Sequence, residues 1–432
     1  RQMCIRDSRV GEIIELSGKE LNNARRALPP KPNNAKPILR GSIVYIQRFG
    51  ENGWSIVNQP QVEGAFVALN AKTGAIQSMV GGFNFYRGDF NRVTQAWRQP
   101  GSTFKPFIYA AGLERGLTPE TRISDQPFVL TARQTGSKPW QPKNYGGRYT
   151  ESQTMRNGLY QSRNMVSIRI LEAVGADFAR DYITRFGFDI RRQPQKGAYL
   201  TMALGAGSVT PLQMAGAYAV FANGGYRVNP YIIDYVLDPD GNEIMRAQPQ
   251  KAGDEANRAL DARTAYVMND LLHGVATSGT AARTTGTLGR KDLHGKTGTT
   301  NQAFDAWYAG YTRDLVGVAW LGYDQPRSLG STATGGQLAM PIWIEYMQTA
   351  LKGMPVTSPG PLPKGLSKNG GNYYFEEFPQ GKAVANLGTR GGATGGGSGG
   401  EAQRFRPIQP RRDPVQRTIE SFNPTGGAPI RF

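Results

Sequence analysis

Three short stretches of the chain hold the residue types that nucleophilic chemistry needs, in the order Ser102-Thr103-Phe104-Lys105, Ser162-Arg163-Asn164 and Lys296-Thr297-Gly298-Thr299-Thr300. A serine hydroxyl attacks poorly until a nearby base takes its proton. Residues three apart on a helix share a face, so this spacing can put the amine of Lys105 beside the hydroxyl of Ser102. The residues that come after Ser102 are mostly apolar, and an apolar setting opposes the ammonium form, drawing the lysine towards the range of a general base. Taken alone, a small polar residue three places before a lysine arises about once by chance in a chain of this size, and the lysine would then sit at the surface.

Ser162 can relay a proton to a leaving amine if a cation stands near it, and Asn164 offers both a donor and an acceptor to a substrate amide. The bland alternative is a polar loop between helices. The third stretch is more specific. A strand with glycine at its centre leaves room for an extended substrate backbone, while Lys296, Thr297 and Thr299 present positive charge and donors to a carboxylate. Its competing reading is a polar edge strand, but all three stretches in this order argue against coincidence. The chain has two histidines, His273 and His294, and a Ser-His-acid triad would need one of them. His273 falls in the apolar run of a helix and reads as structural, and His294, two residues before Lys296, reads as a flank of the site. Lysine is therefore the better base.

These side chains need a scaffold. Pro100-Gly101 breaks the chain just before Ser102, and residues 103–113 read as a buried apolar helix. A hairpin is expected from residues 65–69 and 75–80, joined by Asn70-Ala71-Lys72-Thr73-Gly74. Thr210-Pro211-Leu212-Gln213 combines a threonine cap, proline at the first helical position and glutamine three after the cap, and the helix it starts should stop at Gly224-Gly225. Another helix begins at Asp261 and runs towards His273, and strands are expected at 306–312 and 315–323 around Arg313-Asp314. A hairpin, helices and then more strands predict an α+β plan, with helices packed on an antiparallel sheet.

With 432 residues there is room for two or three domains. A formal charge of +18 points to anionic surroundings, whether nucleic acid, an acidic membrane surface or a carboxylate-rich polymer. No nucleic-acid-binding signature is present in the sequence, so nucleic acid is set aside as a partner. The single cysteine, Cys4, excludes an internal disulfide. Neither a run of about 18 apolar residues nor an export signal opens or crosses the sequence, so the expectation is a piece whose beginning is missing. Residues 1–8 lead into no pattern and are expected to be extraneous to the native protein. Residues 9–61 read as a partial small β domain with strands near 43–46 and 54–57, and 62–355 as the main domain. From 356 to 432 glycine, proline and arginine dominate, which predicts a mostly disordered basic tail.

The three stretches, with Gln99-Pro100-Gly101 before the first, resemble the penicillin-binding protein and serine β-lactamase superfamily. Val62-Glu63-Gly64-Ala65-Phe66-Val67-Ala68-Leu69, Phe90-Asn91-Arg92, Trp140-Gln141-Pro142-Lys143-Asn144-Tyr145 and Ala203-Leu204-Gly205-Ala206-Gly207-Ser208-Val209-Thr210-Pro211-Leu212 narrow the likeness to class A penicillin-binding proteins of the 1A type from Gram-negative bacteria. That resemblance covers residues 39–351 and implies the penicillin-binding transpeptidase fold, with the early β segment as the end of an OB-like domain. It implies Ser102 as the acylated nucleophile, Lys105 as its base, and Ser162 passing the proton onward with help from Lys296. Asn164 would hold the donor peptide, Lys296, Thr297 and Thr299 its carboxylate, with Gly298 and Thr300 completing the substrate-binding set. Backbone N–H groups of Ser102 and Thr299 would form the oxyanion hole.

The implied reaction cleaves D-Ala-D-Ala in peptidoglycan stem peptides and joins the acyl group to an amine on a neighbouring stem, without metal or cofactor. The implied partners are those stems, β-lactam antibiotics and other cell-wall synthesis proteins, at the periplasmic face of the inner membrane. The membrane would be reached only through an N-terminal helix that, like the relatives' glycosyltransferase domain, is not found in this sequence. A β-lactamase of class A would need a Glu followed three positions on by Leu-Asn, and Glu172, Glu243 and Glu255 lack that context. A domain that acylates slowly, as a β-lactam sensor or scaffold, stays open as an alternative.

Overall fold

In the computed structural model the described residues are 3–6, 13–16, 44–49, 53–57 and 60–389, apart from 86, 87, 137, 196 and 197. They fall into two units, residues 1–61 and 62–432. In the first, β1 (Met3–Arg6) pairs antiparallel with β2 (Ile13–Leu16), and β3 (Tyr45–Phe49) with β4 (Gly53–Val57). Ile14, Leu16 and Ile56 make its small core. Four of the eight opening residues thus form a regular ladder, although no sequence pattern ties them to the rest of the chain. The remaining positions on which a fuller OB-like domain would depend lie outside the described residues.

The second unit opens with β5 (Glu63–Asn70) and β6 (Ile76–Val80), the hairpin foreseen at residues 65–80. A 3-10 turn, Gly101–Phe104, passes into α1 (Lys105–Leu113), and the chain returns as β7 (Leu117–Ser124) and β8 (Ser152–Thr154). Next are the helices α2 (Met155–Tyr160), α3 (Asn164–Val174), α4 (Ala176–Thr184) and α5 (Pro211–Ala222). An exposed hairpin of β9 (Tyr235–Leu237) and β10 (Glu243–Arg246) precedes α6 (Ala262–Ser278) and α7 (Ala282–Leu288). Then come β11 (His294–Thr299), β12 (Asp305–Tyr311), β13 (Leu315–Gly322) and α8 (Gly335–Ala350).

Five of these strands form one antiparallel sheet in the order β11-β12-β13-β5-β6. Every residue of β12 is buried, because helices cover both faces and there is no wet side to demand alternation. On one face the ring of Trp343 in α8 meets Tyr308 edge-on at 5.2 Å, and its indole N–H donates to Gly310 O at 3.2 Å. A Cβ at Gly310 or Gly317 would stand within 2.9 Å of that indole, so glycine on two adjacent strands is what seats it. On the other face lie α5 and α6, with α1 packed against α6 and buried at all nine positions, Lys105 included. Phe107 packs there among Phe186, Phe188, Tyr218 and Phe221. Helix α5 starts as its sequence announces, with the Gln213 N–H donating to Thr210 Oγ1 at 3.1 Å and proline at the first position. The α+β plan is the observed one.

One expectation is corrected. Residues 356–389 do not continue as loose chain. They form the hairpin β14 (Leu366–Asn369) and β15 (Asn372–Phe375), then β16 (Val384–Leu387), which runs parallel to β7. Leu366, Tyr373 and Phe375 join the main core. The Val384 N–H donates to Gly116 O at 2.9 Å, Thr121 Oγ1 to Val384 O at 2.6 Å, and Arg263 grips Glu377 at 2.8 and 3.0 Å. Composition averaged over the whole tail hid three apolar anchors and an edge of β7 that needed a partner. The remainder of the tail, 390–432, lies outside the described residues. Each large apolar side chain buried is worth about 1.5–3 kcal/mol. Truncation after Leu351 should therefore lower the melting temperature by several degrees in scanning calorimetry, and an unchanged transition would show that these strands contribute nothing to the body.

Candidate active site

Ser102 sits in the 3-10 turn, not on the helix proper, and the turn is held from four sides. Arg98 and Val209 exchange backbone hydrogen bonds at 2.9 and 3.0 Å, the Trp307 indole donates to Gln99 O at 2.8 Å, and Thr103 Oγ1 donates to Pro100 O at 2.6 Å. Tyr218 O–H reaches Thr103 O at 2.8 Å. Glycines let the parts close up. Gly101 has φ +54°, and a Cβ there would stand 2.7 Å from Thr299 O. A Cβ at Gly298 would meet Pro100 O at 2.6 Å. The glycine of the third stretch thus seats the turn of Ser102 against β11, a packing role that the expectation of substrate clearance did not foresee.

Strand β11 is an edge of the sheet. The Thr300 N–H donates to Asp305 O at 3.1 Å, and in an antiparallel ladder hydrogen-bonded pairs alternate with unbonded ones. Counting back from 300, the N–H and C=O groups of Thr297 and Thr299 therefore turn away from β12, towards the open edge. Lys296 Nζ donates to Thr297 O at 3.1 Å, as that register requires. Thr297 Oγ1 donates to Thr280 Oγ1 at 3.0 Å, and Thr299 Oγ1 accepts from the Gly335 N–H at 3.0 Å, keeping its own proton to give. Thr300 is placed differently from its expected role: it is buried, and its hydroxyl accepts from the Asp305 N–H at 2.9 Å.

The two lysines meet at Ser162. Lys105 Nζ donates to Ser162 O at 2.6 Å and Asn164 Oδ1 at 2.7 Å, and stands 3.3 Å from Ser162 Oγ; Lys296 Nζ donates to the same Oγ at 2.9 Å. Ser162 holds a φ of +55°, a left-handed backbone that costs a non-glycine residue about 1 kcal/mol or more. Among the described residues, Lys105 makes its hydrogen bonds to Ser162 and Asn164, none to Ser102 Oγ. Burial, then the neighbouring Lys296 and Arg163, drive the Lys105 amine well below the ordinary lysine range against a smaller opposing pull from Asp125. Burial lowers Lys296 to about 7.

The histidines stand apart from this junction. His273 Nδ1 lies 3.1 Å from Leu293 O, and His294 stacks on Tyr311 with ring centroids 4.9 Å apart, its pKa pushed down to about 4 by burial and by His273. Sequence reasoning missed Thr280 beside Thr297, and also a buried carboxylate, Asp125, that holds Arg163. Neither carries a local signal, since each gains its position from a loop that only the fold brings near.

The penicillin binding protein transpeptidase domain model matches residues 64–344. The chain belongs to that family. Penicillin-binding protein 1A of Neisseria lactamica is 44% identical over 85% of this chain and 45% of its own length. The chain thus spans a little under half the length of the curated relatives it matches. The crystal structure of penicillin-binding protein 1A from Haemophilus influenzae superposes with a TM-score of 0.72 at 36% identity, covering 78% of this chain and 56% of that one. Penicillin-binding protein A of Mycobacterium tuberculosis, solved as a penicillin G acyl-enzyme complex, gives 0.55 at 26% identity, covering 67% and 74%. The penicillin-binding transpeptidase fold is therefore the frame in which the Ser102, Ser162 and Lys296 stretches converge.

In this transpeptidase frame the buried Lys296 has a consequence for stability. Its folded value is about 7 against an ordinary 10.5. Below that window both folded and unfolded chains carry the proton, and above it neither does. Between them the unfolded chain holds one more proton, so this residue makes stability rise with pH. Urea unfolding measured from about pH 7 to 10 should accordingly show a shallower rise for Lys296→Met than for the parent. Parallel curves would mean that the amine keeps its ordinary pKa in the folded protein.

Proposed function

We propose that this chain is the DD-transpeptidase portion of a class A penicillin-binding protein of the 1A type, working through an acyl-Ser102 intermediate. The observation that carries the reading is the Ser162 hydroxyl held between two buried amines, Lys105 and Lys296, beside the turn that presents Ser102. Neutral Lys105 takes the proton of Ser102 Oγ as the oxygen attacks the carbonyl of the D-Ala-D-Ala bond. The developing oxyanion lies between the N–H groups of Ser102 and Thr299, the latter turned to the open edge of β11. Ser162 gives its proton to the departing D-Ala amine and is resupplied from the Lys105 side, while Lys296 stabilises the exchange. An amine of a neighbouring stem peptide then attacks the acyl-serine, restoring the hydroxyl and forming the cross-link. Attack on a β-lactam opens its ring instead, leaving the acyl group on Ser102.

The substrate backbone would extend β11, its terminal carboxylate meeting Thr297, Thr299 and the charge of Lys296, with Asn164 holding the donor peptide. Gly298 and Thr300 support that strand from within. Stem peptides, β-lactams and other cell-wall synthesis proteins are the proposed partners, at the periplasmic face of the inner membrane. Among the described residues no helix is long and apolar enough to cross a membrane.

Ser102→Ala should abolish covalent labelling by penicillin with the melting temperature unchanged, because one oxygen is lost; undiminished labelling would sink the assignment. A label on the parent that persists for many minutes, together with turnover of a stem pentapeptide in the presence of an acceptor amine, separates a transpeptidase from a β-lactamase and from a sensor.

Thr297→Val tests the pose. The change keeps the β-branched shape but removes a hydrogen bond to a charged group, worth about 1.5–3 kcal/mol, or roughly ten- to hundred-fold in acylation rate. The slowing should appear with carboxylate-bearing β-lactams and not with an analogue whose carboxylate is amidated. Equal slowing of both would mean that Thr297 shapes the strand without reading the carboxylate.

A further inference from the structure

Lys105 serves as a base only if its lone pair, and not an N–H, faces the nucleophile. A neutral primary amine has two N–H groups and one lone pair. Two short acceptors, Ser162 O and Asn164 Oδ1, take both hydrogens, so the lone pair is left for the remaining side, where the Ser162 hydroxyl stands. The first acceptor is backbone and cannot reverse. The second is one end of an amide, and the same side chain turned over would point an NH2 at the amine instead.

One contact decides which way round the Asn164 amide stands, and two more hold the backbone that carries it. Its Nδ2 donates to Lys143 O at 2.7 Å, which leaves Oδ1 for Lys105. Its backbone N–H donates to Asn144 Oδ1 at 2.8 Å, and the N–H of Met165 donates to that same oxygen at 3.3 Å. Asn144 is itself an amide with two possible settings, and only 3% exposed. Its Nδ2 donates to Asp125 Oδ1 at 2.8 Å and to Arg148 O at 3.1 Å, so its oxygen must face α3. Asp125 is fully buried, and its other oxygen accepts from Thr150 N at 3.0 Å, Thr150 Oγ1 at 3.1 Å, Arg163 Nε at 3.0 Å and Arg163 Nη2. A carboxylate has no donor end, so it fixes the sense of the Asn144 amide. Asp125 and Asn144 thus hold the backbone at the start of α3, Lys143 O sets the sense of the Asn164 amide, and Asn164 Oδ1 meets Lys105, so a line of contacts runs from the end of β7 to the base.

We propose that Asn144 is a positioning residue for the general base: oriented by Asp125, it fixes the place of Asn164 at the start of α3 and so aims the Lys105 amine at Ser102. The inference rests on the acyl-serine reading proposed for this chain. Asn144 also caps the first N–H groups of α3, but a cap alone would require no particular partner on its nitrogen. The charged groups that face Lys105 are Lys296, Arg163 and Asp125, and a change at Asn144 removes none of them.

The experiment is a double-mutant cycle on penicillin acylation, with the parent, Asn144→Ala, Asn164→Ala and the double variant, each checked for a cooperative melting transition. Misaiming a catalytic group by about 1 Å costs on the order of a hundred-fold, so Asn144→Ala should slow acylation about ten- to hundred-fold while still labelling one serine at long times. In the Asn164→Ala background the same change should cost less than about two-fold, because the line is already cut. A parent-like rate for Asn144→Ala, or an equal loss in both backgrounds, overturns the proposal. Asn144→Ser replaces the alanine variant if that fails to fold. The titration of Lys105, followed by NMR on lysine-labelled protein, reads the line without turnover. It should move in Asn144→Ala relative to the parent, and should not move between Asn164→Ala and the double variant; the opposite pattern also overturns the proposal. A parent that takes no penicillin refutes the acyl-serine reading, and the titration still decides the role of Asn144.

Discussion

Two amines brought together out of water, Lys105 and Lys296, are the constraint on which the site depends. Burying an ammonium costs several kcal/mol, and burying a second beside it adds like-charge repulsion. The protein meets this with lowered pKa values for both amines and with fixed acceptors for their hydrogens, namely Ser162 O, Asn164 Oδ1, Ser162 Oγ and Thr297 O. None of these acceptors is free to relax. Ser162 is held in a left-handed backbone, Asn164 is pinned at both ends of its amide, and Thr297 O is aimed by the register of β11.

Rigid acceptors demand a rigid frame, and the frame is built by close approach. Gly101, Gly205 and Gly298 lie where a methyl group would strike backbone atoms at 2.2–2.7 Å. That lets the nucleophile's turn sit between β11 and the segment before α5. Behind it, the aromatic cluster around Phe107 and the fully buried α1 leave no direction in which the turn can yield. Ion pairing does a similar task in the sheet: Arg98 meets Asp305 at 2.7 Å, the same carboxylate that accepts from the Trp320 indole at 2.9 Å. The strand carrying the threonines and the turn carrying the serine are thereby referenced to one core.

The chemistry was more legible in the sequence than its supports were. Residue type and spacing picked out Ser102, Lys105, Ser162, Asn164 and Lys296, and the fold joins the last four by hydrogen bonds beside the turn that carries Ser102. Capping at Thr210 and the hairpin at residues 65–80 were legible because local rules and tertiary packing agree there. Where they disagree, reading failed. Gly298 was read only as room for a substrate, and its close approach to Pro100 went unseen; so did the hydrogen bond by which the Asp305 N–H holds the buried Thr300 hydroxyl. Residues 366–387 looked like loose chain because composition says nothing about which edge of a sheet stands open. Asp125 offered no motif at all, since its partners come from residues 144, 150 and 163, which only the fold gathers.

The failures have a common cause. Local propensity would place lysine outside, serine in an ordinary backbone region and an aspartate in water, yet all three rules are broken within one small region around Ser162. A structure that needed only stability would gain from replacing these groups, because a buried charge network is rarely better than a packed apolar one. Their retention in a single line of contacts, with each donor and acceptor accounted for, marks where stability has been exchanged for reactivity. It also places the end of β7 in the same mechanical unit as the site. Asp125 comes directly after that strand, and β16 lies along its edge, so a segment far from Ser102 in sequence braces the carboxylate that holds Asn144 and Arg163.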